Sequence, residues 1–88
     1  MTLGSSGMES VTKAIDEVRD ELLLAQARFL PMPTPHDGWA VIYEELDELW
    51  DEVKRYKANA PDSANIERMR KEAKQVAAMA LRFMVDLT

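Results

Sequence analysis

WAVIYEELDELWDEV, the run from Trp39 to Val53, decides the fold of this chain. Its apolar residues Trp39, Ile42, Leu46, Leu49 and Val53, continued by Tyr56, recur at alternating steps of three and four, the spacing that lines side chains along one stripe of an α-helix. Between them Glu44, Glu45, Asp47, Glu48, Asp51 and Glu52 crowd six carboxylates into nine residues. A helix with an apolar stripe and an acidic face is therefore predicted over about residues 35–58. Thr34 before Pro35 has the form of an N-cap followed by proline at the first helical position, with Asp37 as the alternative cap. At the far end Asn59-Ala60-Pro61 stops the winding, because proline lacks the N–H that the next turn needs.

The same periodicity extends in both directions. Upstream, Val11, Ile15, Val18, Leu22, Ala25 and Phe29 predict a helix over about residues 10–30. The segment Pro31-Met32-Pro33-Thr34-Pro35 then forms a stiff connector that cannot wind. Downstream, Ile66, Met69, Ala73, Val76, Ala80, Phe83 and Leu87 predict a third helix over about residues 63–87, with Asp62, Ser63 and Asn65 competing to cap it. No strand pattern appears. The expected fold is an all-α chain of three helices, with residues 1–8 a flexible leader or expression remnant and residues 9–88 a single domain. Second apolar flanks, Leu23, Leu24 and Leu30 on the first helix and Ala77, Met79 and Met84 on the third, exceed what three thin rods can cover. They predict a homodimer or homotetramer that completes a larger bundle of the four-helix kind.

Composition narrows the function. With 16 acidic and 11 basic residues the formal charge is -5, which repels a phosphate backbone and argues against nucleic acid as a partner. No run approaches the roughly 18 apolar residues of a membrane span, and the N-terminus has no secretory pattern. The chain has no cysteine, so neither a disulfide nor a thiolate metal site is possible. A soluble protein of the cytoplasm is the expectation. The 47% apolar content supplies a core.

The acidic run has a specific phase. Glu45 directly precedes Leu46 and Glu48 precedes Leu49, while on the third helix Glu72 precedes Ala73 and Gln75 precedes Val76. If these two helices pack antiparallel, the polar pairs meet at the edge of the core and bring together three carboxylates and one amide oxygen. Hard oxygen donors of this sort suit Mg²⁺ or Mn²⁺. The bland alternative is a solvated acidic face neutralised by Arg68, Arg70, Lys71 and Lys74. A di-iron carboxylate bundle is set aside, because it needs Glu-x-x-His pairs and the chain has none.

Glu44-Glu45-Leu46-Asp47-Glu48 resembles the E-E-x-x-E motif of the MazG-like all-α nucleoside triphosphate pyrophosphohydrolases. Glu72-Ala73-Lys74-Gln75 stands where that superfamily has E-x-x-D, and His36-Asp37-Gly38-Trp39 is similar to the approach to its first motif. The resemblance covers about two thirds of the chain. It implies a divalent-metal-dependent cleavage of a nucleoside triphosphate to the monophosphate and pyrophosphate. Glu45, Glu48 and Glu72 would be ligands of Mg²⁺ (or Mn²⁺), Gln75 the fourth, and Glu44 or Glu48 the base toward water. Gln75 departs from the family's aspartate and offers a neutral oxygen without charge.

Lys54, Arg55, Lys71 and Lys74 are the candidate phosphate contacts by their nearness in sequence. Trp39 is either a base-stacking residue or, by its place on the apolar stripe, part of the core. His36 reads as a surface or capping residue, and Met69, Met79 and Met84 as packing. The alternative function is a non-catalytic helical module that binds nucleotide or another protein through a degenerate metal site.

Overall fold

The computed structural model describes residues 3–88, with side chains from residue 7 onward; Met1 and Thr2, part of the expected leader, lie outside it. Three helices follow in order, α1 Leu3–Arg28, α2 Pro35–Arg55 and α3 Ser63–Leu87, and the described residues contain no strand. α3 matches its expected span, and Asp62 wins the competition to cap it, its carboxylate accepting from the Ala64 N–H at 3.0 Å. α2 starts where expected. The Thr34 hydroxyl accepts from the Asp37 N–H at 3.2 Å and donates to the Asp37 carboxylate at 2.7 Å, a reciprocal cap with Pro35 in the first turn.

Two boundaries differ from expectation. α2 ends at Arg55, where Tyr56 turns extended and its N–H bonds back to the Val53 carbonyl, so the helix stops well before Pro61. α1 begins at Leu3 rather than near Ser10, so most of the segment expected as a flexible leader is helical. Its residues include nothing that breaks a helix except Gly4 and Gly7, and continuation of an existing helix is cheap compared with nucleation. The described residues contribute three helices, not the four of a four-helix bundle.

α1 and α2 each pack on α3 and not on one another. α2 runs antiparallel to α3: Glu52 meets Asn65 at one end, and Gly38 lies against Phe83 and Leu87 at the other. α1 runs parallel to α3, as the bonds Glu17 to Arg70, Glu21 to Gln75 and the Leu30 carbonyl to Arg82 advance together. The buried core is small and built of short or flexible side chains, Ala25, Met32, Ala78 and Met79, with Val18, Val41, Ile42, Phe83 and Leu87 packed around it.

The contact lines keep part of each expected apolar stripe, Ile42 and Leu49 on α2 and Met69, Val76 and Phe83 on α3 being half-buried, and displace the rest by one residue. On α2 the line facing α3 passes through Gly38, Glu45 and Glu52, not Trp39, Leu46 and Val53, which stay largely exposed. On α3 it passes through Asn65, Glu72, Met79 and Asp86 instead of Ile66, Ala73, Ala80 and Leu87, of which only Leu87 is partly covered. Close approach explains the shift. A Cβ on Gly38 would stand 2.6 Å from the Phe83 ring and 2.8 Å from Leu87, so only glycine lets the two helices meet along that line. The expected core residues Val11, Ile15, Phe29 and Tyr56 are likewise exposed.

Polar clamps hold what so thin a core does not. Buried Arg82 donates to the Leu30 carbonyl at 2.7 Å, lies 5.6 Å over the Phe29 ring, and faces Asp86 at 3.5 Å. Asp86 in turn accepts from the Met32 N–H at 2.9 Å, so the proline-rich connector is tied to the end of α3. Removing one member of a buried charged pair leaves the other uncompensated, at a cost of about 3–5 kcal/mol. Arg82→Met is therefore expected to lower the unfolding free energy by about 3 kcal/mol in urea titrations, and to free the connector as read by faster amide exchange at Met32.

Candidate metal centre

Glu45 and Glu48 leave α2 one turn apart, on the side of the contact line that faces Glu72 of α3. Each offers a carboxylate oxygen within 4.8 Å of the others. Glu45 and Glu72 are half-buried and Glu48 is exposed, so the trio opens to solvent through Glu48. Among the described residues no lysine or arginine forms an ion pair with any of the three. The expected neutralisation by α3 is largely absent here, since Arg68 turns to Glu52 at 3.0 Å and Arg70 to Glu17 at 2.7 Å. Only Lys71 acts on Glu72, as a charge beside it.

Protons take up part of the strain. Burial first, then the charge and hydrogen bonding of Glu48, then the charges of Glu72 and Glu44, push the Glu45 carboxyl up to about 7. Burial, and then hydrogen bonding and charge from Glu48, also raise Glu72. The opposite holds one turn along, where the Arg68 hydrogen bond outweighs burial and, with Asn65, keeps Glu52 below the usual carboxylate range. Glu52 is thus a structural anion, ringed by Arg55 at 2.7 Å, Arg68 at 3.0 Å and Asn65 at 3.1 Å.

The donor set fits a hard divalent cation. Three unpaired carboxylates from two helices supply oxygen ligands and negative charge, and two of the three lean toward protonation in the ion's place. The Gln75 amide donates to the Glu21 carboxylate of α1, and both line a cleft of about 820 Å³ between α1 and α2, floored by α3. Glu45 forms part of that cleft's wall, with Leu24, Phe29, Val41 and Met79 as its apolar lining and Arg28 and Arg82 as its basic residues.

Other expected site residues lie apart. Glu44 is exposed beside the trio. Lys54 pairs with Asp51 at 3.2 Å and lies 5.8 Å over the Trp50 ring, while Arg55 is committed to Glu52. Lys74 lines a small hollow against α1 with Ala14, Val18 and Arg70. Trp39 is 61% exposed beside Pro35 and His36, with Tyr43 at 6.1 Å, which corrects the reading of it as core and sets it away from the cleft. His36 is on the surface as expected. Sequence reasoning missed Glu21, although it bears the same signal as Glu45: it directly precedes a residue of the apolar stripe, Leu22.

No protein-family model, no curated protein and no solved structure matches this chain.

The pKa directions give a pH profile. A carboxyl raised in the folded state stabilises it fully below its unfolded value and loses that contribution as pH rises through the folded value. Glu45 should therefore cost the metal-free protein stability between about pH 4.5 and about 7. Glu52, lowered, adds stability above its ordinary range and loses it as pH falls through its folded value. In chelator-containing buffer the melting temperature should peak near about pH 5. Thermal melts should show Glu45→Gln flattening the fall toward pH 8, and Glu52→Gln flattening the acid limb.

Proposed function

We propose that this chain is a divalent-metal-dependent nucleotide pyrophosphohydrolase of the MazG-like all-α type, cleaving a ribo- or deoxyribonucleoside triphosphate to its monophosphate and pyrophosphate. In this reading it works in the cytoplasm as a homodimer or homotetramer. The single observation carrying it is the convergence of Glu45, Glu48 and Glu72 from two antiparallel helices, with Glu45 in the wall of a cleft. Glu45, Glu48 and Glu72 would hold Mg²⁺ or Mn²⁺. Such an ion supplies Lewis acidity toward phosphate oxygens and lowers the pKa of water.

The chain's own residues do the rest. A cleft of about 820 Å³ lies within the range of small-ligand sites and gives a nucleoside apolar walls at Leu24, Phe29, Val41 and Met79. Arg28, which lines the cleft and stands outside every ion pair among the described residues, and Lys71, next to Glu72, are the cations available to phosphate. Glu44, exposed beside the trio, or Glu48 would accept the proton from water. Lys54 and Arg55 contribute less to this reading, because each already has a carboxylate partner.

One observation favours a second reading, a non-catalytic module that binds nucleotide or protein. Gln75 stands where the motif calls for an acid, and its amide is spent on Glu21. The two readings diverge on the metal. At a Mg²⁺ concentration 100 times the dissociation constant, binding to the folded state adds about 2.7 kcal/mol. The pyrophosphohydrolase reading expects a rise in melting temperature with millimolar Mg²⁺ or Mn²⁺ that vanishes in Glu45→Ala, and pyrophosphate release from at least one of a panel of nucleoside triphosphates. Gln75→Asp should lower the Mg²⁺ concentration for half the thermal shift by roughly tenfold. Silence of both wild type and Gln75→Asp across the panel, with no thermal shift, would end the catalytic reading.

A further inference from the structure

We infer that the face of the molecule opposite the cleft is covered by a second copy of this chain, and that both tryptophans are buried between the copies. α3 is gripped from two sides, by α2 through Asn65, Phe83 and Leu87, and by α1 through Arg70, Gln75 and Arg82. Two strips of α3 remain between those sides. The cleft takes one of them, marked by Gln75, Met79 and Arg82. On the other, helical spacing places Ile66, Ala73, Ala77, Ala80 and Met84, with Arg70, which pairs with Glu17 of α1, the one charged residue in the row.

The neighbouring helices continue this strip. Val41 and Glu45 of α2 turn toward the cleft, so the face across the contact line carries Trp39, Tyr43, Leu46, Trp50 and Val53. On α1 the cleft takes Glu21, Leu24 and Arg28, which leaves Val11, Ile15 and Leu22 on the reverse. The acidic residues Glu44, Glu45, Glu48 and Asp51 all fall on the cleft side. The molecule is thus divided into a charged face and an apolar one, and on the latter Trp39, Tyr43 and Trp50 are 61%, 56% and 55% exposed.

Three features select a second copy as the occupant. The first is area. Three rings of roughly 150–250 Å² each, more than half exposed, offer on the order of 300 Å². Six half-exposed aliphatic side chains, Val11, Ile15, Leu46, Val53, Ile66 and Met84, roughly double that. The total approaches the apolar share of a standard interface of about 800 Å² per partner, and it exceeds what a monomer commonly leaves in one patch. The second is self-complementarity: with a two-fold axis at Leu46 and the two α2 helices antiparallel, Trp39 of one copy would fall against Val53 of the other and Tyr43 beside Trp50, so one row serves both sides of the contact. The third is overhang. Glu17 is level with Arg70, so the turns of α1 before Ser10 run past the start of α3, and Met8 there is 67% exposed. A lone helical end of that kind is held by packing against a partner.

Stacked on this face, two copies keep their clefts on opposite outer surfaces, each with its own carboxylate trio. The inference deepens the homo-oligomer of the proposed function and to that extent rests on it, but uses nothing of metal or nucleotide. The test is sedimentation velocity with tryptophan fluorescence in chelator-containing buffer. We expect at least twice the 10.0 kDa chain mass, blue-shifted emission, and iodide quenching several-fold weaker than for free tryptophan, since Trp39 and Trp50 are the chain's two tryptophans. Trp50→Glu should sediment as a helical monomer at the same loading, while Leu24→Glu on the cleft side keeps the wild-type mass. If Trp50→Glu does not fold, wild-type mass and quenching decide. A monomeric wild type, an oligomer whose tryptophans quench freely, or dissociation by Leu24→Glu overturns the inference. A monomer that still shows the Mg²⁺-dependent shift overturns it and leaves the metal reading standing.

Discussion

α1 and α2 have no purchase on each other; both lean on α3, and everything else in the molecule follows from that shared support. A helix gripped from two sides has two strips left over, and here one became a cleft with acid in it and the other an apolar surface. Support of this kind needs close approach, which the chain supplies with Gly38, Ala25 and Ala78 at the contacts. Short side chains bring backbones together but bury little apolar area, so the ends of the contact are secured by polar groups. At one end Arg82 and Asp86 bind the connector, and at the other Glu52 gathers Asn65, Arg55 and Arg68.

The same arrangement explains how α2 tolerates its acid. Like charges three and four apart on a helix repel by a few tenths of a kcal/mol per pair, and α2 carries several such pairs. Glu52 is neutralised across the helix pair, and Asp51 within α2 by Lys54. Glu45, Glu48 and Glu72 are not, because the basic residues of α3 that sequence order brings near are turned toward α1 or toward Glu52. Repulsion is therefore concentrated at one place on the fold instead of being spread along it. A group of carboxylates left in that condition gains from whatever positive charge reaches it, a proton or a cation.

The cleft and the apolar face are complementary results of one packing choice. Had α2 met α3 along Trp39, Leu46 and Val53, the aromatic residues would have been covered and the carboxylates pushed to the rim. Contact along Gly38, Glu45 and Glu52 does the reverse, drawing acid into the seam and leaving the rings outside. An isolated chain is then poorly satisfied on one whole side, which is a property of the fold and not of any single exposed residue.

The chain's periodicity and punctuation determined three helices without strands, the capping of α2 by Thr34 and Pro35, the span of α3, and the neighbourhood of Glu45, Glu48 and Glu72, because caps, proline breaks and helical spacing act over a few residues. It did not determine which of two adjacent lines on each helix would make the contact. Trp39-Leu46-Val53 and Gly38-Glu45-Glu52 are one residue apart, and hydrophobicity alone favours the first. The choice belongs to interactions distant in sequence: the room Gly38 leaves for Phe83, the hold of Asn65 and Arg68 on Glu52, and the pull of Glu21 on Gln75. Only the packed structure brings these together, so only it decided that the Gln75 amide would bond to Glu21 and that both tryptophans would stay exposed.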